Sequence, residues 1–214
     1  MLFIERLFSA DPMPALMQIF IVIFSVCCHE YAHAQMALWQ GDHTAAERGH
    51  LTLNPLKQMG VMSLIMLAFV GIAWGMVPVN PSRMRHRYSE ELVALAGPMM
   101  NLILFVFFVL AFTVNAIWIE NAGLMLLFKL GGIINFVLFV FNMIPAPPLD
   151  GWTVCYRFVA SRLNFNSEWI KGVTIFLILA AILFSPYLFI AGAAAFRTGV
   201  TWLGYAAYHL GLLQ

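Results

Sequence analysis

Apolar runs of membrane-spanning length dominate this sequence. Positions 92–118 and 122–144 are almost entirely hydrophobic, and further apolar runs lie at about 14–39, 61–79 and 170–196. The hydrocarbon core of a bilayer is about 30 Å thick and takes about 20 helical residues to cross. With 62% hydrophobic and 10% charged residues, the chain lacks the polar surface of a soluble domain. The pattern predicts an all-α polytopic membrane protein with about five or six hydrophobic segments.

Charge and cysteine content exclude several other classes. The formal net charge is only +1, whereas a nucleic-acid-binding protein presents a strongly basic face. Three cysteines, Cys27, Cys28 and Cys155, are an odd number without the short spacing of a disulfide framework. We therefore expect a lipid bilayer around the protein, no nucleic-acid partner and no disulfide scaffold.

The first apolar run contains the most informative motif, His29-Glu30-Tyr31-Ala32-His33. Residues four apart on a helix share one face, so both imidazoles point the same way and provide half of a tetrahedral zinc site. Glu30, beside the first ligand, is in place to act as a general base on a zinc-bound water. The alternative is a polar cluster packed at a helix end, but ionisable residues inside membrane segments are costly and are usually functional.

A catalytic zinc needs a third protein ligand, and Asp150 is the favoured candidate. It follows an apolar segment and three prolines that fix the backbone, although an Asp-Gly pair is also common in a surface turn. Asp11 and Asp42 lie outside the two ends of the first helix and are expected to point away. The remaining histidines are weaker candidates: His43 and His50 require their loop to fold back, His86 lies among arginines, and His209 has no obvious partner.

The three predicted metal ligands constrain the membrane topology, because they must lie near the same face of the bilayer. If every segment crossed the membrane once, His29 and His33 would lie toward one face and Asp150 toward the other. The segment at 61–79, broken by Gly71, Gly75 and Pro78, is therefore predicted to be re-entrant and partly extended, with an edge for an unwound substrate at 72–80. Most Lys and Arg residues then fall on the side of the metal, which predicts that this side is cytoplasmic.

Four motifs in order resemble the site-2 protease family of intramembrane zinc metalloproteases. They are the His29–His33 motif, the Leu-Thr-Leu-Asn-Pro turn at 51–55, the Ala-Gly-Pro-Met-Met-Asn run at 96–101, and the stretch from Asn142 to Asp150 and Gly151. The resemblance covers about residues 14–160 and is to compact members without extra domains. It implies one membrane-embedded metalloprotease domain over 1–214, with a catalytic core at about 14–160 and C-terminal helices at about 170–214.

The resemblance also implies site residues and partners. His29, His33 and Asp150 would bind one Zn²⁺ ion, Glu30 would be the catalytic base, and Asn142 would help to hold substrate or the developing oxyanion. The substrates would be membrane proteins cut in or near their transmembrane segments. Selectivity would rest on the membrane core itself or on a regulatory membrane partner, and the cell (inner) membrane is the expected location.

Three alternatives remain. A different class of membrane zinc protease takes a downstream Glu as third ligand, for which Glu168 is available. A membrane metal carrier would string metal-binding residues along a path, but the third and fourth segments hold only Lys129 as a charged residue. A non-proteolytic scaffold retaining the zinc site would have no need of Glu30.

Overall fold

The chain is an all-α polytopic membrane protein, as predicted. The structure, a computed structural model, describes residues 10–159 and 167–210 together with Glu5, Leu7 and Phe8, and gives only the helix path for many residues between 157 and 182. No β-strand occurs in the part of the chain that it describes. Four helices within that part are long and apolar enough to cross a bilayer.

Eight α-helices make up the described chain. They are α1 (Met13–Trp39), α2 (Thr44–Glu47), α3 (Pro55–Gln58), α4 (Gly60–Val70), α5 (Ser89–Val114), α6 (Ala122–Asn142), α7 (Asp150–Val159) and α8 (Ser167–His209). A short 3₁₀ turn, Pro81–Arg83, precedes α5, and a π-helical turn, Asn115–Ile119, extends its end. The spans are α1, α5 with its π-helical turn, α6 and the Leu183–His209 part of α8.

Local sequence sets the ends of α1. Pro14 lies in the first turn, where its missing N–H breaks no helical hydrogen bond. Gly41 follows the last turn with φ +98°, a left-handed conformation that glycine adopts without strain. The chain then turns away from the helix axis into the polar stretch that leads to α4.

The segment after α3 leaves and returns on the same side. Helix α4 has 11 residues, or about 16 Å, which is too short to cross a bilayer about 30 Å thick. After Gly71, residues 72–80 run back without regular secondary structure. The Met76 N–H donates to the Gln58 carbonyl at 3.0 Å, and Ser63 bonds both the N–H and the carbonyl of Trp74. The chain path therefore agrees with the predicted re-entrant segment.

Helix α5 is at the centre of the molecule and contacts α1, α6, α7 and α8. Two glycines of α6 allow close packing, because a Cβ on Gly131 would overlap the Phe108 ring of α5 and one on Gly132 would overlap Phe196 of α8. Such small residues let helices approach closely in a membrane, where no hydrophobic force drives them together. This packing brings α1, α5 and α6 together around the predicted metal ligands.

The C-terminal part forms fewer elements than the largest number predicted. The sequence left open whether the tail after position 197 is a sixth span, whereas the structure has a single 43-residue helix, α8, that continues through Pro186. With α1, α4, α5, α6 and α8, the described chain has five apolar helical segments, within the predicted five or six.

Candidate metal centre

Helix α1 presents both motif histidines to one point. Their Nε2 atoms lie 3.0 Å apart, and each residue is only 7% exposed. The Nδ1 atom of His33 lies 2.7 Å from the Val93 carbonyl oxygen. A carbonyl only accepts hydrogen bonds, so His33 carries its proton on Nδ1 and leaves the Nε2 lone pair free. This is the form of imidazole that binds a metal through Nε2.

The third predicted ligand comes from the beginning of α7. Asp150 Oδ2 lies 3.1 Å from His29 Nε2 and 3.3 Å from His33 Nε2. Gly151 permits this approach, because a Cβ there would overlap the backbone of Met143.

The chemistry of these three atoms fits zinc. Asp150 Oδ2 is buried and has no hydrogen-bond donor in the structure, and it faces the two Nε2 atoms. Three electron-pair donors this close suit a cation bound among them. Ligands at about 2.0–2.1 Å from zinc in a tetrahedron are about 3.3–3.4 Å apart, close to the spacings seen here. Among the described residues, this is the one group of three or more such side chains.

Glu30 follows His29 on α1 and is as buried as the two histidines. Its carboxyl group packs against Gly75 of the returning segment, where a Cβ would overlap it. The same side chains line a cavity of about 480 Å³, with walls from α1, residues 73–79, the start of α5 and the end of α6. Such a volume admits a short stretch of peptide. The site thus combines metal-binding atoms, a carboxylate and space for a substrate.

A glycine on α5 also makes room for the ligands. A Cβ on Gly97 would overlap Nε2 of both His29 and His33. Sequence reasoning noted the Gly97-Pro98 pair without giving it a function. Only the packing of α5 across α1 explains why a side chain cannot be accommodated at Gly97.

The other residues considered from sequence have varied positions. Asn142 lines the cavity and donates from Nδ2 to the Leu138 carbonyl at 3.0 Å, and its predicted role with substrate stays a prediction. Asp11 and His43 are exposed, as expected, but His50 is half-buried rather than solvated. His209 belongs to no group of metal-binding side chains among the described residues, and its ring packs edge-on against Tyr205 and Tyr208 of α8. The side chain of Glu168 lies outside the described residues.

Asp42 points away from the ligands, as predicted, but it has a structural role that the sequence did not indicate. Its buried carboxylate accepts hydrogen bonds from Asn80 N at 2.6 Å, Thr44 N at 3.0 Å and Thr44 Oγ1 at 2.5 Å. Burial would raise the pKa of Asp42, but these bonds, with Arg83 nearby, lower it below its usual value. The carboxylate ties the end of α1 to the end of the returning segment.

Comparison with known proteins identifies the chemistry. A relative from Bacillus subtilis, YwhC, is 37% identical over 177 residues, which cover 78% of this chain and 80% of that protein. Its name is "Putative zinc metalloprotease". The chain belongs to this zinc metalloprotease family. Rip2 of Mycolicibacterium smegmatis carries the same description and is 35% identical over 142 residues, 61% of this chain and 52% of Rip2.

A further relative has the same description, "Putative zinc metalloprotease". Rip2 of Mycobacterium tuberculosis is 32% identical over 143 residues. No protein-family model matches the chain, and no solved structure matches it. As a zinc metalloprotease, the chain uses Zn²⁺ as its cofactor, in agreement with the two imidazoles and one carboxylate that converge in the cavity.

Proposed function

We propose that this zinc metalloprotease cleaves peptide bonds inside or near the bilayer, as the site-2 protease family does. The observation that carries the proposal is the position of the ligand atoms. His29 and His33 lie within the apolar helix α1, about 15 Å and 9 Å from its end at Trp39. A substrate bond must therefore reach a depth that only a membrane-embedded segment occupies.

Each side chain has a defined role in the proposed reaction. His29, His33 and Asp150 would hold one zinc ion, which when bound would supply Lewis-acid activation of the scissile carbonyl and of a water molecule. The Glu30 carboxylate takes the proton of the attacking water and delivers it to the leaving nitrogen. Asn142, on the cavity wall, holds the substrate backbone or the developing oxyanion.

The charge distribution supports a cytoplasmic orientation of the site. Basic side chains gather between α1 and α5, on the side where the ligands lie. They are Arg48, Lys57, Arg83, Arg85 and Arg87. Loops rich in Lys and Arg stay on the cytoplasmic side of the cell membrane. Water and the released product would reach or leave the cavity from that side.

The substrates are proposed to be membrane proteins whose spanning segment unwinds near the site. A helical carbonyl is already hydrogen-bonded, so a peptide bond is accessible only after local unwinding. Residues 72–80 lack regular structure, and residues 73–77 with Val79 line the cavity, which suits the binding of an extended peptide. Selection among substrates then depends on this core or on a regulatory membrane partner.

The test combines metal analysis with a cleavage assay on a single-span membrane substrate in detergent or vesicles. Glu30→Gln should retain zinc while cleavage falls by about 10²–10⁴-fold, the usual contribution of a general base. Glu120→Gln is the matched control, because Glu120 is exposed in the turn between α5 and α6. It should cleave at the wild-type rate.

The same pair of variants separates protease from carrier. A metal carrier has no need of a proton acceptor beside the zinc and would transport equally with Glu30→Gln. Unchanged cleavage in Glu30→Gln, or equal loss in Glu120→Gln, would contradict the proposed mechanism.

A further inference from the structure

A line of buried polar side chains leads from His29 into the helix bundle. His29 Nδ1 lies 2.6 Å from Asn101 Oδ1, and Asn101 Nδ2 donates to Asn135 Oδ1 at 3.0 Å. Asn135 Nδ2 in turn donates to Ser25 Oγ and to the Gly131 carbonyl oxygen, both at 2.9 Å. The side-chain members of this line beyond His29 are all 0% exposed. They come from α1, α5 and α6.

The hydrogen bond from Asn135 to the Gly131 carbonyl determines which atom donates and which accepts in every other bond of the line. The Gly131 carbonyl has only lone pairs, so Asn135 must turn its NH₂ group toward it and its oxygen toward Asn101. Asn101 must then offer its own NH₂ group to that oxygen, which leaves Asn101 Oδ1 facing His29. An amide oxygen can only accept. The proton between the two groups therefore belongs to His29 Nδ1.

This proton position decides how His29 meets the metal. A neutral imidazole with its proton on Nδ1 has its lone pair on Nε2, the atom that faces His33 and Asp150. The opposite tautomer would direct an N–H at the cation and leave two lone pairs facing each other at Asn101. His33 reaches the same state directly through the Val93 carbonyl, whereas His29 reaches it through two amides.

We propose that Asn101 and Asn135 are positioning residues that hold His29 in the zinc-binding tautomer, with the Gly131 carbonyl as the fixed end of the line. The proposal rests on the function proposed above, in which His29 binds zinc. Groups that fix the second ring nitrogen of a ligating histidine commonly contribute 10–100-fold to metal affinity. Asn135 contacts no ligand atom and acts only through Asn101.

A purely structural explanation makes different predictions. Buried amides between helices also stabilise a membrane bundle, and losing one leaves its partner unsatisfied. In that case zinc affinity would follow the stability of the metal-free fold. If Asn101 and Asn135 position His29, the two measurements separate, because only an acceptor facing His29 Nδ1 matters for zinc.

The experiment measures zinc affinity, by competition with a chromophoric chelator, and the melting temperature of the metal-free full chain. Asn101→Leu removes the acceptor and should weaken zinc binding by about 10–100-fold. Asn101→Asp keeps an oxygen facing His29 and should bind zinc nearly as the wild type does. Its carboxylate faces Asn135 Oδ1, so it should lower the melting temperature at least as much as Asn101→Leu. Asn115→Leu, another fully buried amide on the extension of α5, is the control for stability alone.

A second readout does not involve zinc. Ring-¹⁵N spectra of metal-free protein distinguish the two imidazole tautomers, and the His29 signal is identified by its loss in His29→Gln. The wild type should show His29 protonated at Nδ1, and Asn101→Leu a mixture of tautomers. Asn135→Leu should give a smaller change in the same direction, because it frees the Asn101 amide to turn.

The outcomes are distinguishable. Wild-type zinc affinity in Asn101→Leu, or a loss in Asn101→Asp equal to that in Asn101→Leu, overturns the positioning role. An unchanged tautomer in Asn135→Leu overturns the outer half of the line. Absence of zinc from the wild type itself, or full zinc binding by His29→Gln, would instead remove the proposed function.

Discussion

The carboxyl group of Glu30 lies against Gly75 so closely that no side chain fits between them. Glu30 belongs to α1, and Gly75 to the segment that returns after α4. The contact means that the position of the proposed base depends on the returning segment, and that this segment comes within atomic contact of the reacting groups.

Gly75→Ala should reduce cleavage strongly while zinc is retained. The new Cβ would overlap the Glu30 carboxyl group, so Glu30 must leave its position, whereas the three ligands are untouched. Displacement of a catalytic group by about 1 Å costs about 10²-fold. The measurement is kcat together with bound zinc. Gly204→Ala, where a Cβ meets nothing, is the control. A Gly75→Ala enzyme of wild-type rate would refute the importance of this contact.

Gly97→Ala, in contrast, should lose its bound zinc. Its Cβ would overlap Nε2 of His29 and His33, so the loss is in metal binding rather than in the proton-transfer step. We expect little or no zinc after purification and no recovery of cleavage at micromolar zinc. A variant that bound zinc normally would show that α5 can move away from α1 at this point.

Asp150→Ala should lose zinc, and Glu168→Ala should keep it. Asp150 Oδ2 completes the set of three donor atoms, so without it two neutral imidazoles remain. Removing zinc from the wild type with a chelator should lower its melting temperature, since a ligand at 100 times its Kd stabilises the fold by about 2.7 kcal/mol. The Asp150→Ala protein should show no such shift. Loss of zinc in Glu168→Ala alone would make Glu168 the third ligand.

Asp42→Asn should destabilise the fold by about 1–3 kcal/mol at neutral pH. The amide replaces one acceptor oxygen with a donor, so Asn80 N–H or the Thr44 donors lose their partner in a buried place. The folded-state pKa of Asp42 is depressed, so its contribution is present above the unfolded pKa of about 3.9 and is lost as the pH falls through the lower folded value.

Thermal unfolding in detergent at several pH values tests this dependence. The difference between wild type and Asp42→Asn should be largest at pH 7 and should shrink below about pH 4. Glu120→Gln, which changes an exposed carboxyl group, should track the wild type throughout. A difference between wild type and Asp42→Asn that is constant with pH would show that the effect is one of packing and not of charge.

Spacing and hydropathy were enough to predict the fold class and the three side chains, those of His29, His33 and Asp150, that the structure brings together. His29 and His33 are four apart in an apolar helix, and Asp150 follows a rigid proline-rich stretch, so both signals are local in the sequence. The re-entrant segment was predicted because three ligands had to meet at one face. These predictions needed no knowledge of how the helices pack.

Contacts between distant helices were beyond the reach of sequence reasoning. Gly75 and Gly97 are small because of what lies opposite them, and the sequence does not state what that is. Asn135 is an amide in the middle of the apolar segment that forms α6, and its partners are Asn101 and Ser25 on two other helices. An isolated polar residue in a membrane segment is the signal that would have found it.

In the proposed intramembrane reaction, the depth of His29 determines the lengths of the fragments that cleavage would leave. Helix α1 has 27 residues, about 40 Å, and His29 lies about 15 Å from the Trp39 end. A spanning segment severed at that level is divided unequally. The shorter piece would contain about 10 apolar helical residues, half of the about 20 that are needed to cross a bilayer, and would dissociate into water. The longer piece would stay embedded in the bilayer, so cleavage would release only the shorter piece, and this piece could not return to the membrane.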